Sequence, residues 1–110
     1  MSTGKIINIT NRLNREPRFI CIGEKNYKVN CSKNAVLEVM ELQTNGGAEL
    51  ETIDKILKVL LGSEAFRELE DMELPYDNWQ VIFIATLACA MNKTYEEIDE
   101  SFREATEEHK

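Results

Sequence analysis

The spacing of apolar positions changes character near Ser32. Before it, Tyr27, Val29 and Cys31 alternate with Lys28 and Asn30, a period of two that predicts a strand with one apolar face. Residues 18–22 predict its partner, joined through a hairpin-length turn at Gly23-Glu24-Lys25-Asn26. The isoleucine-rich residues 5–10 predict a further strand, paired within the chain or with a neighbour, and the polar residues 11–17 link it to the hairpin. Pro17 breaks any ladder there. A lone hairpin is marginal in water, so the sheet must rest on the helices that follow.

After Ser32 the period becomes helical. Ser32 reads as the N-cap of a helix reaching about Gln43, with Val36, Val39, Met40 and Gln43 on its apolar face and Leu37 beside them. Thr44-Asn45-Gly46-Gly47-Ala48 then reads as a connector. Ile53, Ile56, Leu57 and Leu60 fall at i, i+3, i+4 and i+7 of a second helix over residues 51–61. Gly62 reads as its left-handed stop, and Ser63 as the cap of a short helix presenting Phe66 and Leu69. Asp77, with Gln80 three residues on, reads as a capping-box variant for the main helix, about residues 78–91.

Ile82, Phe83, Ile84, Ala85, Leu87, Ala88, Cys89, Ala90 and Met91 leave that helix almost no polar face, which places it in the middle of a bundle. Burying Ile82, Phe83, Ile84 and Leu87 stabilises by roughly 6–12 kcal/mol gross, comparable to the net stability of a small domain. The last helix opens on a regular capping box, Thr94 with Glu97, and carries Tyr95, Ile98, Phe102 and Ala105 as its buried stripe. The polar residues 106–110 read as a frayed tail. The expected architecture is α+β: a small N-terminal antiparallel hairpin or sheet, then four to five helices around the helix at 78–91. All of this fits one domain over residues 1–110.

Charge divides the domain. Residues 1–34 hold seven of the thirteen basic residues and two acids, a net +5, whereas residues 35–110 carry −12. The acidic helical part, residues 32–105, repels nucleic acid and anionic lipid at long range. The basic, β-rich part, residues 1–31, holds Arg12, Arg15, Arg18, Lys25 and Lys28, with Lys33 just beyond and Phe19 and Tyr27 among them. That set makes the one argument for a single-stranded nucleic acid, and it includes no recognition-helix motif. The apolar run 81–91 is too short to span a bilayer. With no long apolar region behind Met1-Ser2-Thr3-Gly4-Lys5, the expected location is a cytoplasm.

Candidate chemistry is sparse. His109, second from the end, cannot be oriented as a base or ligand there. Cys21, Cys31 and Cys89 form no CxxC pair and read as buried free thiols, with a Cys21–Cys31 bridge across the hairpin as the alternative. Glu68 with Asp71, and Glu96 with Asp99 and Glu100, share helix faces, but those faces are the solvated ones. No catalytic set, metal site or cofactor is expected. The sharper reading is a groove for a partner helix lined by Phe66, Met72, Leu74, Tyr76 and Trp79, against the plainer one in which Trp79 anchors the core.

The order of elements carries a resemblance. The hairpin Gly23-Glu24-Lys25-Asn26-Tyr27-Lys28-Val29 comes first. A helix ending Leu60-Leu61-Gly62-Ser63-Glu64-Ala65-Phe66 follows, then the helix over 74–91 and the finish Tyr95-Glu96-Glu97-Ile98. Over residues 19–102 the chain resembles the tail assembly chaperones of long-tailed, siphovirus-type bacteriophages and of prophages in Gram-positive bacteria. The resemblance implies a non-enzymatic protein of the host cytoplasm that coats the helical tape measure protein and keeps it soluble until tail tube subunits assemble around it. It also implies that this chain corresponds to a short form. A longer, frameshifted form would contact the tube protein. Homo-oligomers are compatible with this role. The basic first third is not explained by it. Two other classes remain: a regulatory or antitoxin-like adaptor binding DNA or a toxin, and a structural tail subunit.

Overall fold

The computed structural model describes the backbone of residues 4–46 and 49–107, with side chains as far as Arg103. Two strands, β1 (Arg18–Ile22) and β2 (Lys25–Val29), pair antiparallel. Five helices follow: α1 (Lys33–Gly46), α2 (Leu50–Leu61), α3 (Ser63–Asp71), α4 (Tyr76–Met91) and α5 (Tyr95–Glu107). The fold is α+β, as the change of period indicates. Ala105 within the buried stripe, Gly47 and Ala48, and His109 lie outside the described residues or side chains. Thr106 and Glu107, read as fraying, continue α5.

The hairpin turn is shorter than expected. Ile22 pairs with Lys25, so Gly23 and Glu24 alone make the turn, and Gly23 takes a positive φ of 65° that favours glycine. Arg18, Ile20 and Ile22 face inward with Tyr27 and Val29, while Phe19 and Cys21 face out. The three cysteines are free. Cys21 is exposed rather than buried, and its partner across the ladder is Asn26, not Cys31.

Residues 5–10 form no strand. Among the described residues this stretch has no hydrogen-bonded partner strand, and a 3-10 turn, Thr10–Arg12, begins at its last residue. Every residue from Gly4 to Pro17 is exposed. The chain measures 66 × 37 × 22 Å with a radius of gyration of 17.0 Å, against about 13 Å for a compact chain of this length.

Two helices organise the core. α4 packs against α2, α5 and both strands, and α2 in turn carries α1, α3 and β2. Ile53, Ile56, Leu57 and Leu60 of α2 are buried along the stripe that the spacing defines. Asn30 N–H donates to Leu60 O at 2.7 Å and ties the end of β2 to that stripe. On α4, Ile82, Phe83, Ile84 and Leu87 are buried, together with Thr86, whose hydroxyl donates to Ile82 O at 2.7 Å. α4 is not covered all round, because Val81 is half in water.

α1 differs from its expected face. Ser32 caps it, its hydroxyl accepting from Ala35 N–H at 3.2 Å. The buried positions are Ala35 and Val39, with Val36 and Leu42 partly buried, whereas Leu37 and Met40 are each 52% exposed. α1 also runs three residues past Gln43, to a Gly46 that lies so close to Thr52 of α2 that a Cβ there would overlap the threonine hydroxyl.

Three helix boundaries are set by backbone rather than by the side chains that the sequence suggests. α3 begins at Ser63 itself, behind Gly62 at φ 91° and ψ 156°, and no side chain caps it. Gly62 therefore has the positive φ of a stop residue without its left-handed ψ. α4 begins at Tyr76 with extended Pro75 before it and Asn78 N–H donating to Pro75 O, so Asp77 lies inside the first turn and makes no cap. Near the end of α3, Glu73 takes a φ of 50° without being glycine.

The α5 cap is the one expected. Thr94 N–H donates to Glu97 Oε1 at 3.0 Å, and Glu97 N–H donates to Thr94 Oγ1 at 3.1 Å. The Thr94 backbone N–H first, and the Thr94 side chain second, hold the Glu97 carboxyl below its ordinary value of 4.5. A carboxylate favoured in the folded state stabilises fully above pH 4.5, and that contribution fades as the pH falls through the lowered folded value. Thr94→Ala should cost about 1 kcal/mol at neutral pH. The gap between the two proteins in urea unfolding should narrow below pH 4.5. A pH-independent gap would show that the threonine hydroxyl does not act on the carboxylate, whose bond from the backbone N–H of residue 94 survives the substitution.

Candidate partner-binding surface

The five residues read as a groove sit at the α3–α4 corner, at different depths. Phe66 on α3 is 3% exposed and belongs to the core. Its ring lies 5.5 Å from Trp79 on α4, tilted by 45°, and the Lys58 ammonium sits 5.0 Å from its centroid. Trp79 and Leu74 are partly buried against the core. Met72 and Tyr76 are the accessible members, 45% and 55% exposed. Gln80 Nε2 donates weakly to the Tyr76 hydroxyl at 3.5 Å, one turn along α4. The corner is thus a half-covered aromatic base carrying two exposed apolar side chains, with Phe66 beneath it.

Acidic residues outnumber basic ones on the elements that form this corner, where Arg67 and Lys58 are also exposed. Glu64, Glu70, Asp71, Glu73 and Asp77 are exposed on α3, its end and the start of α4. Glu68 is engaged by Lys25 of β2, whose ammonium also lies 5.1 Å from the Tyr27 ring. The hydrogen bond to Glu68 raises the Lys25 ammonium above its ordinary value.

The basic third is less available than its sequence suggests. Arg18 Nη1 donates to Cys89 O at 3.2 Å and to Ala90 O at 3.1 Å, closing the C-terminal end of α4. Lys25 is paired and Tyr27 is buried. Of the basic and aromatic set, Phe19 and Lys28 stay exposed as neighbours across the ladder, and Arg12, Arg15 and Lys33 stay exposed elsewhere.

A cavity of about 350 Å³ opens where residues 14–19 pass the end of α4, lined among others by Glu16, Arg18, Phe19, Cys89 and Lys93. Its cysteine is not primed for attack. Burial pushes the Cys89 thiol up, against a smaller opposite pull from Arg18, so it stays protonated at neutral pH. Asp54 of α2 is also raised, by burial first and then by Glu70. Asp99 of α5 pairs with Arg103 at 3.1 Å. Among the described residues, no three His, Cys, Asp or Glu side chains are grouped to hold a metal ion, and no helix is long and apolar enough to cross a membrane.

The chain matches no protein-family model, no curated protein and no solved structure. Its function is therefore argued from its surface.

That surface holds exposed apolar side chains that the sequence reading missed. Leu37 and Met40 carry the apolar signal of a core face, and only the packing of α1 on α2 turns them outward. Ile6, Ile7 and Ile9 carry the signal of a strand and are 90%, 70% and 50% exposed.

Proposed function

We propose that the protein is a non-enzymatic tail assembly chaperone, which binds the tape measure protein in the host cytoplasm and keeps it soluble until tail tube subunits enclose it. The carrying observation is the α3–α4 corner, where Met72 and Tyr76 stand in water beside half-buried Leu74 and Trp79, on elements rich in exposed carboxylates. Such a patch suits the apolar stripe of an amphipathic helix, which docks through anchors at i, i+3 and i+4. The surrounding carboxylates keep the coated client soluble through its net charge. Many weak contacts along a long client add through effective concentration, so no single site needs to be tight. The order of elements, resembling that of the phage chaperones, supports the same reading.

Co-expression tests it. A phage tape measure protein co-expressed with this chain should move from the pellet to the soluble fraction. Met72→Ser with Tyr76→Ser, both at exposed positions, should return it to the pellet while the chain itself stays folded. A client that precipitates with the unaltered chain in excess would end the proposal.

A further inference from the structure

Two bare surfaces of this chain complement each other, and neither covers the other within one molecule. The first is the leading segment. Ile6, Ile7, Ile9 and Leu13 lie within eight residues, all at least half exposed. Lys5, Arg12 and Arg15 flank them, and residues 4–15 contain no acid. The second is the outer face of α1. Leu37 and Met40, three residues apart and so side by side on the helix, are each 52% exposed. Glu38 and Glu41 follow them directly and are exposed, and no basic residue occurs on α1 beyond Lys33.

We propose that residues 4–13 dock on the outer face of α1 of a second copy of this chain. Clustered exposed isoleucines mark an interaction surface. The choice of occupant rests on charge: a segment that is apolar and purely basic meets a face that is apolar and acidic, and both occur in the same sequence in equal number. Segment and face are different surfaces. Contacts therefore run head to tail and build rows or rings, unless two molecules exchange segments reciprocally as a dimer. The proposal goes beyond the chaperone reading and does not depend on it.

Sedimentation equilibrium of the purified full chain at low salt, from micromolar concentrations upward, is the test. The mass should rise above the 12.7 kDa of one chain. It should fall back as salt screens the charges. Ile6→Ser with Ile7→Ser and Ile9→Ser removes the segment's grip, and Leu37→Ser with Met40→Ser removes the acceptor. Both sets are on exposed positions, so circular dichroism should be unchanged, and each should weaken association at least about tenfold. Mixing the two variants should restore a 1:1 complex, because one supplies an intact face and the other an intact segment. A monomer at every concentration, assembly that survives either set of changes, or a mixture that stays monomeric would each overturn the proposal. So would a monomer whose residues 4–13 are protected from amide exchange, since that places the segment on its own body. No client is present, so failure here leaves the chaperone reading standing, and failure of co-expression leaves this one standing.

Discussion

Phe83→Ala should lower the free energy of unfolding by about 3–5 kcal/mol, the loss expected when a buried ring is cut to a methyl group. Phe83 is 1% exposed in the middle of α4, and its ring meets that of Phe102 edge-on at 5.9 Å between centroids. That pair and Ile98 are the described apolar anchors that fix α5 to α4. The capping box shapes the start of α5, but an isolated helix of this length is marginal in water and depends on its packed face. A small domain has about 5–15 kcal/mol in total, so the variant should lie near the edge of folding at 37 °C. Urea titration reads the size of the loss. Amide exchange reads its distribution, and α5 should lose protection ahead of α2. A loss under about 1.5 kcal/mol would mean that neighbouring side chains collapse into the space and that the aromatic pair is dispensable.

Arg18→Met should cost about 1.5–3 kcal/mol, from charge-assisted hydrogen bonds to backbone and a favourable cation at a helix C-terminus. The last four carbonyls of α4 have no partners within the helix. Lys93 N–H reaches Ala88 O at 2.9 Å, and Asn92, in the left-handed conformation at φ 57°, reaches Cys89 O at 3.4 Å. Arg18 adds donors to Cys89 O and Ala90 O from 71 and 72 residues away. Methionine keeps the apolar stem in place and removes only the guanidinium. Arg18→Lys should recover part of the loss, because an ammonium supplies the charge without the planar fork. The measurement is again the urea midpoint at constant slope. Equal stability of Arg18→Met and the unaltered chain would show that water satisfies those carbonyls equally well.

Local rules carried far in this sequence where one short segment holds all the relevant chemistry. Thr94 and Glu97 lie three residues apart and cap each other without help from elsewhere. The α2 stripe has one arc of apolar residues and therefore one way to face. α1 has apolar residues at 35, 36, 37, 39, 40 and 42, which define overlapping arcs, and contact with α2 selects among them. Ser63 and Asp77 are good capping residues in the wrong register. Gly62, at positive φ, and extended Pro75 turn the backbone just before each helix, and that bend decides where the helix starts. Residues 5–10 have strand propensity but no ladder, and propensity without pairing leaves them irregular. The α3–α4 corner was legible as a cluster but not in its layering. Nothing in the spacing of Phe66, Met72, Leu74, Tyr76 and Trp79 reveals that the first lies under the last. The role of Arg18 was hidden for the same reason, since its acceptors lie on the far side of the chain.

The placement of that arginine has a mechanical consequence. Pro17 and the exposed residues before it lead straight into Arg18, which opens β1 and also holds the end of α4. Tension applied to the leading segment therefore enters the body at a residue that is both the first rung of the ladder, opposite Val29, and bonded to the end of α4. Part of the load passes through the guanidinium to α4 as well as into the ladder. A tether attached there would pull on the middle of the protein rather than on its edge.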